Sequence, residues 1–123
     1  MSGEPRTLAG ATVYVCAPDG PKLDCERAAN DIIGDSYSCE PAVVAIPVAR
    51  LAPEFLTLSN RIAGGVIQKF VNYSTTVAFV GDISEAVAAS NALGDFVRES
   101  NRGRHVWFVA DLAELEARLA ARA

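Results

Sequence analysis

Arginines, hydroxyls and carboxylates that follow directly on apolar runs are the residues of this chain best suited to chemistry. Arg50 comes after the run AVVAIPV at 42–48, and Thr57, Ser59, Asn60 and Arg61 open the helical segment beyond it. Asp82 and Ser84 come after TVAFVG at 76–81, and Asp111 after HVWFV at 105–109. Ligands of parallel α/β sheets gather beyond the carboxyl ends of the strands, where helix N-termini present unpaired N–H groups. Two guanidiniums there, Arg50 and Arg61, could pair with a carboxylate or phosphate, which makes an anion or nucleotide pocket or a partner-protein surface. The same residues also read as helix caps (Asp82, Ser84, Asp111) with both arginines solvated. Neither GxGxxG nor GxxxxGK[ST] accompanies them, which argues against a dinucleotide site or a P-loop.

Other reactive types are sparse. His105 is the only histidine and opens an apolar strand, so acid/base work would need a carboxylate from elsewhere; a structural role is the expectation. Cys16, Cys25 and Cys39 are odd in number, with no CxxC pair or close histidine, so neither a zinc site nor a disulfide framework is indicated. Cys16 falls in a strand expected to be buried, the other two outside it. Glu99, Ser100, Asn101 and Arg102 form a polar cluster before Gly103 that reads as a helix cap or a binding surface. Trp107 and Phe108 alternate on a short strand and read as core and cover. No catalytic constellation, metal set or cofactor motif emerges.

The elements that must position these residues follow from periodicity. Residues 42–48 and 76–81 are continuous apolar runs, as strands covered on both faces are, and 105–109 is a shorter one. Residues 12–17, TVYVCA, with Pro18-Asp19-Gly20-Pro21 behind them, predict a hairpin returning through Lys22 and Leu23. Asp24 is placed to cap a helix that buries Ala28, Ala29, Ile32 and Ile33 and stops at Gly34. A long amphipathic helix is predicted over 54–73, with Phe55, Leu58, Ile62, Val66 and Phe70 on one face and Asn60, Arg61, Gln68, Lys69 and Asn72 on the other. The adjacent Gly64 and Gly65 point to close backbone contact with a neighbour. A third helix runs from Ser84 to about Asn101, and Asp111 caps a fourth bearing Leu112, Leu115 and Leu119. The fold class is therefore α/β: a single domain over 1–123, with residues 1–10 loosely held. An N-terminal hairpin joins a mostly parallel sheet of about five strands, with about four helices.

Composition narrows the function classes. The chain has 123 residues, half of them hydrophobic, enough for one core. Its net charge of -4 offers no basic footprint for nucleic acid or an anionic membrane, and no run approaches the length of a membrane span. A cytoplasmic location is the expectation, with a homodimer through the exposed hairpin edge as one possibility.

The blocks QKFVNY at 68–73, FVGD at 79–82 and ESNRG at 99–103 resemble the bacterial family DUF4180, a domain of unknown function, and the resemblance extends from about Ile32 to Leu119. It implies shape and a bacterial source, with no activity attached. That family often carries acidic residues early in the long helix, whereas FLTLSNRIAGG here has none. The architecture is also similar to the STAS domain, shared by sulfate transporters and anti-sigma factor antagonists. There a serine or threonine at a helix start is phosphorylated to switch partner binding; Thr57 or Ser59 lies near that place, without the family's aspartate-serine pair. The expected function is a non-enzymatic regulatory or partner-binding module. The alternative is a small-molecule binder or small enzyme with its pocket at the strand carboxyl edge.

Overall fold

The structure, a computed structural model, describes residues 3–20, 22–51, 55 and 62–122. Five strands form one sheet in the order β1-β2-β3-β4-β5: β1 (Gly3–Leu8), β2 (Ala11–Cys16), β3 (Val43–Pro47), β4 (Thr76–Val80) and β5 (Val106–Val109). The pair β1–β2 is antiparallel and the rest are parallel. Five α-helices accompany them: α1 (Glu26–Ser36), α2 (Ile62–Asn72), α3 (Ser84–Ala89), α4 (Asn91–Arg102) and α5 (Leu112–Arg122). No helix among the described residues is long and apolar enough to cross a membrane.

Because each parallel strand is laid beside its predecessor, right-handed crossovers carry α1, α2 and the α3–α4 pair to the same face. Tyr14, Val44, Ile46, Val77, Phe79 and Phe108 project from the sheet on that side, against Ile32 of α1, Val66 and Phe70 of α2 and Phe96 of α4. Phe79 lies 5.1 Å, centroid to centroid, from both Phe55 and Phe108. The opposite face, with Val13, Val43, Ala45, Ala78 and Trp107, is met by Leu115 and Leu119 of α5. Two-sided cover explains why β3, β4 and β5 read as unbroken apolar runs.

The hairpin exists on the other side of β2 from the one predicted. Strand β1 precedes β2, so residues 3–8 are ladder-bound where the sequence reading left them loose. The turn is Ala9-Gly10, with φ of 51° and 81°, and two positive φ values are what a two-residue type I′ hairpin demands. Leu23, the expected return arm, instead makes a single parallel bridge to Leu51. Thr12 sends its carbonyl to Ala42, so Val13 and Val15 face β1 and pair with Arg6 and Glu4, while Pro5 falls in the outward row. A proline there removes a central edge donor and blunts the edge that a strand-paired homodimer would use.

Four local expectations are corrected. The N-cap of α1 is Cys25 rather than Asp24, with no side-chain cap. That helix passes Gly34 and tightens into a 3-10 turn at Tyr37–Cys39, ending at Glu40 in the left-handed region. The third predicted helix is two, because Ser90 is extended and its Oγ accepts from Leu93 N, starting α4 afresh. In α2 the glycines meet no neighbouring backbone: a Cβ on Gly64 would have open space, and one on Gly65 would touch the Glu26 side chain. Of the long helix predicted over 54–73, residues 62–72 are helical and Phe55 is buried; 54 and 56–61 lie outside the described residues.

Candidate functional site

At the strand carboxyl edge, the Arg50 side chain is spent on architecture. Only 2% exposed, it donates from Nη1 to Ala17 O at 3.0 Å, and a Cβ on Gly20 would lie 2.6 Å from its guanidinium carbon. Leu23 N donates to Arg50 O at 2.6 Å and Lys22 Nζ to Ala49 O at 2.5 Å. The loop after β3, a 3-10 turn at Val48–Arg50, is thus strapped to the loop after β2. On its other side it meets the loop after β4: a Cβ on Gly81, whose φ is +144°, would lie 2.3 Å from Val48 Cγ2. Two glycines therefore hold one turn between them, Gly20 against Arg50 and Gly81 against Val48. The sequence reading had Arg50 as a solvated or ligand-facing charge and missed this contact; Gly81, inside FVGD, was its available signal.

Asp111 caps α5 as the capping reading expected, whereas in α3 the N-cap is Ile83, Asp82 lies one residue before it and Ser84 is the first helical residue. Asp82 Oδ1 accepts from Ser84 N at 2.9 Å, and Asp111 Oδ1 accepts from Glu114 N at 2.8 Å. The Ser84 N–H, joined by its hydroxyl, holds the Asp82 carboxyl below its ordinary range. Asp82 and Ser84 also rim a cavity of about 260 Å³ between α3, α4 and β5, floored by Val87, Val97 and Phe108. The edge therefore brings Asp82 and Ser84 together and commits Arg50 elsewhere. Thr57, Ser59, Asn60 and Arg61 lie outside the described residues.

At the opposite edge of the sheet, the ESNRG block builds a second structure. Asn101 Oδ1 accepts from Phe108 N at 2.7 Å, covering the outer edge of β5, and its carbonyl accepts from Arg118 Nη2 at 2.8 Å. Gly103 O accepts from Trp107 Nε1 at 2.9 Å and Arg104 O from Thr76 Oγ1 at 3.0 Å. Arg118 lies over the Trp107 ring, 4.6 Å from its centroid. These bonds border an open cavity of about 580 Å³ lined by Gly103, Arg104, Trp107, Arg118 and Ala121. Among the described residues, the four ion pairs engage Arg6, Lys69, Arg98 and Arg102; Arg104 and Arg118, like Lys22 and Arg27, take part in none of them. The sequence reading took Trp107 for core; it is 3% exposed and also forms a cavity wall.

A family model for a domain of unknown function, DUF4180, matches residues 8–119, which include the Gly81 contact and all of the lining of this second cavity except Ala121. The chain belongs to DUF4180. No curated protein and no solved structure matches it at a significant level. Within this DUF4180 domain, FVGD supplies the glycine on which the Val48 turn packs, and ESNRG supplies the edge cover and one wall of the Trp107 cavity. The match carries no chemistry, so function rests on the sites themselves.

The remaining reactive groups sort by burial. Cys16 is buried, Cys25 exposed and Cys39 intermediate. Burial pushes the Cys16 thiol from 9.0 up to about 11, partly offset by the Arg50 guanidinium and reinforced by Asp35. A folded-state pKa above the unfolded one gives stability that is complete below pH 9 and lost as pH rises through 11. That loss amounts to roughly 2–3 kcal/mol for this group. Urea unfolding of wild type and Cys16→Ala across this window should show the steeper decline in wild type, and parallel declines would refute the assignment. No three His, Cys, Asp or Glu side chains cluster as a metal site among the described residues, and His105 is exposed.

Proposed function

We propose that this DUF4180 domain is a non-enzymatic, regulatory binding module that holds a small carboxylate- or phosphate-bearing molecule in the Trp107 cavity. The observation that carries this reading is that two guanidiniums, Arg104 and Arg118, border one cavity of about 580 Å³ with no carboxylate among its described lining residues, in a chain of net charge -4. That volume lies within the range of small-molecule sites. Arg118 is preorganised by its bond to Asn101 O and by the indole beneath it, so little of its rotamer freedom remains to be lost on binding. Guanidiniums keep their protons at every physiological pH, which suits them to hold an anion rather than to shuttle a proton; hence binding rather than catalysis. The cavity at Asp82 and Ser84 has a carboxylate on its rim and suits an anion less well.

Trp107 is the only tryptophan, so its fluorescence reports on this cavity alone. Titration with inorganic phosphate, citrate and a nucleoside monophosphate should give a saturable change with at least one, weakening as salt is raised. Loss of a charged hydrogen bond in Arg118→Gln should weaken binding by about ten- to a hundredfold, and Arg118→Lys should restore only part, since an ammonium cannot offer the planar fork. No saturable response to any of the three, or equal affinity in wild type and Arg118→Gln, overturns the reading.

A further inference from the structure

The two exposed tyrosines, Tyr37 at 76% and Tyr73 at 60%, line the same cavity, of about 230 Å³. It lies where α1 and α2 both end, over the starts of β3 and β4, and Ile33, Ser36, Glu40 and Ser74 are among its other walls. None of its lining residues is shared with the Trp107 cavity. The charged group of the lining and the two helix ends share one sign. Both helices bring their carbonyl ends here, α1 through the 3-10 turn Tyr37–Cys39. Although Ile33 O, Phe70 O and Val71 O each accept a capping bond, the macrodipole remains negative at this end, and the last turn of α1 holds no basic residue to offset it. The basic residue in the last turn of α2, Lys69, is engaged with Glu26 at 3.8 Å. Glu40 adds a full negative charge, and aromatic faces carry the negative lobe of the ring quadrupole. Exposed aromatic surface in that field is poorly suited to an anion and well suited to a cation that is itself partly apolar.

We propose that the Tyr37–Tyr73 cavity is a second binding site, which takes a small alkylated ammonium cation. The cation's methyl groups lie against the phenol rings, and its charge is met by Glu40 and the two helix ends. Glu40 and Ser74 adopt φ of 47° and 56°, left-handed conformations unusual for side-chain-bearing residues, and these turns close the two helix ends around the cavity. An alkali metal ion would gain nothing from the tyrosines, so the site discriminates by the apolar shell of the cation.

Titration with tetramethylammonium chloride, against sodium chloride at equal ionic strength, tests this by NMR. Tyr37 and Tyr73 ring resonances should shift saturably with the first salt only, and the ligand methyl signal should move upfield as the rings shield it. Tyr37→Leu and Tyr73→Leu keep apolar bulk but remove the quadrupole, and each should weaken binding by roughly three- to thirtyfold; the corresponding phenylalanine variants should retain it. Glu40→Gln should weaken it by a smaller factor. Shifts common to both salts, no saturation, or equal binding by the leucine variants would each overturn the proposal. Both tyrosines are exposed, so these variants keep the fold.

Discussion

Gly81→Ala should lower the unfolding free energy by roughly 2–4 kcal/mol, measured by urea denaturation. Two costs combine. At a φ of +144° any side chain is strained, which costs of order 1–3 kcal/mol, and the added Cβ would lie 2.3 Å from Val48 Cγ2, an overlap of the kind that costs about 1–3 kcal/mol in a packed core. The two are separable. Val48→Ala in the Gly81→Ala background removes the overlapping methyl groups and leaves the backbone strain, so the double mutant should recover about 1–2 kcal/mol relative to additivity. Gly94→Ala serves as a comparison, since its Cβ would stand 3.3 Å from Val87 Cγ1 at an ordinary helical φ and should cost much less. Unchanged stability in Gly81→Ala, or strict additivity with Val48→Ala, would show that the turn after β3 is not clamped by this glycine.

That contact marks where the sequence was readable and where it was not. Strands β3, β4 and β5 were legible because two-sided cover leaves no polar period, and the Val66–Phe70 stripe of α2 because a buried helix face repeats every three or four residues. Strand β1 was not: GEPRTL is exposed along most of its length, so its stability comes from the β2 ladder rather than from apolar alternation. Its Ala-Gly turn is also weaker as a signal than Asn-Gly. Ser90 was missed as a boundary because one serine inside a helical pattern looks tolerable until its Oγ is seen on Leu93 N.

The site divides in the same way. The local bonds of Asp82 and Asp111 to the first turns of α3 and α5 were legible because each is made within three residues. Arg104 and Arg118 were not singled out, since only the return of α5 across β5 brings Arg118 to Trp107 and Asn101. The rule that ligands gather at the carboxyl edge directed attention to Arg50, which the structure shows buried and bonded to Ala17 O. Burial of its guanidinium against Gly20 depends on a contact thirty residues distant in the chain, which no periodicity encodes.

Arg50→Met should destabilise by about 2–4 kcal/mol while leaving the phosphate response of Trp107 intact. Methionine nearly fills the volume, so the loss is of bonding: the charge-assisted donor to Ala17 O disappears, a contribution of roughly 1.5–3 kcal/mol, and the strap between the loops after β2 and β3 loosens. Arg50→Lys should recover little, because one ammonium cannot reproduce a planar guanidinium stacked on Gly20. A second readout distinguishes loss of the charge from loss of packing. The Arg50 guanidinium holds the Cys16 thiol down against its burial, so in Arg50→Met the alkaline titration of Cys16 should move further upward, and in Arg50→Lys it should move less. If Arg50 were instead a ligand contact, the opposite pattern would follow: stability within about 0.5 kcal/mol of wild type, as is usual away from structural features, together with loss of the anion response. That pair of results would return the anion site to the carboxyl edge and remove it from the Trp107 cavity.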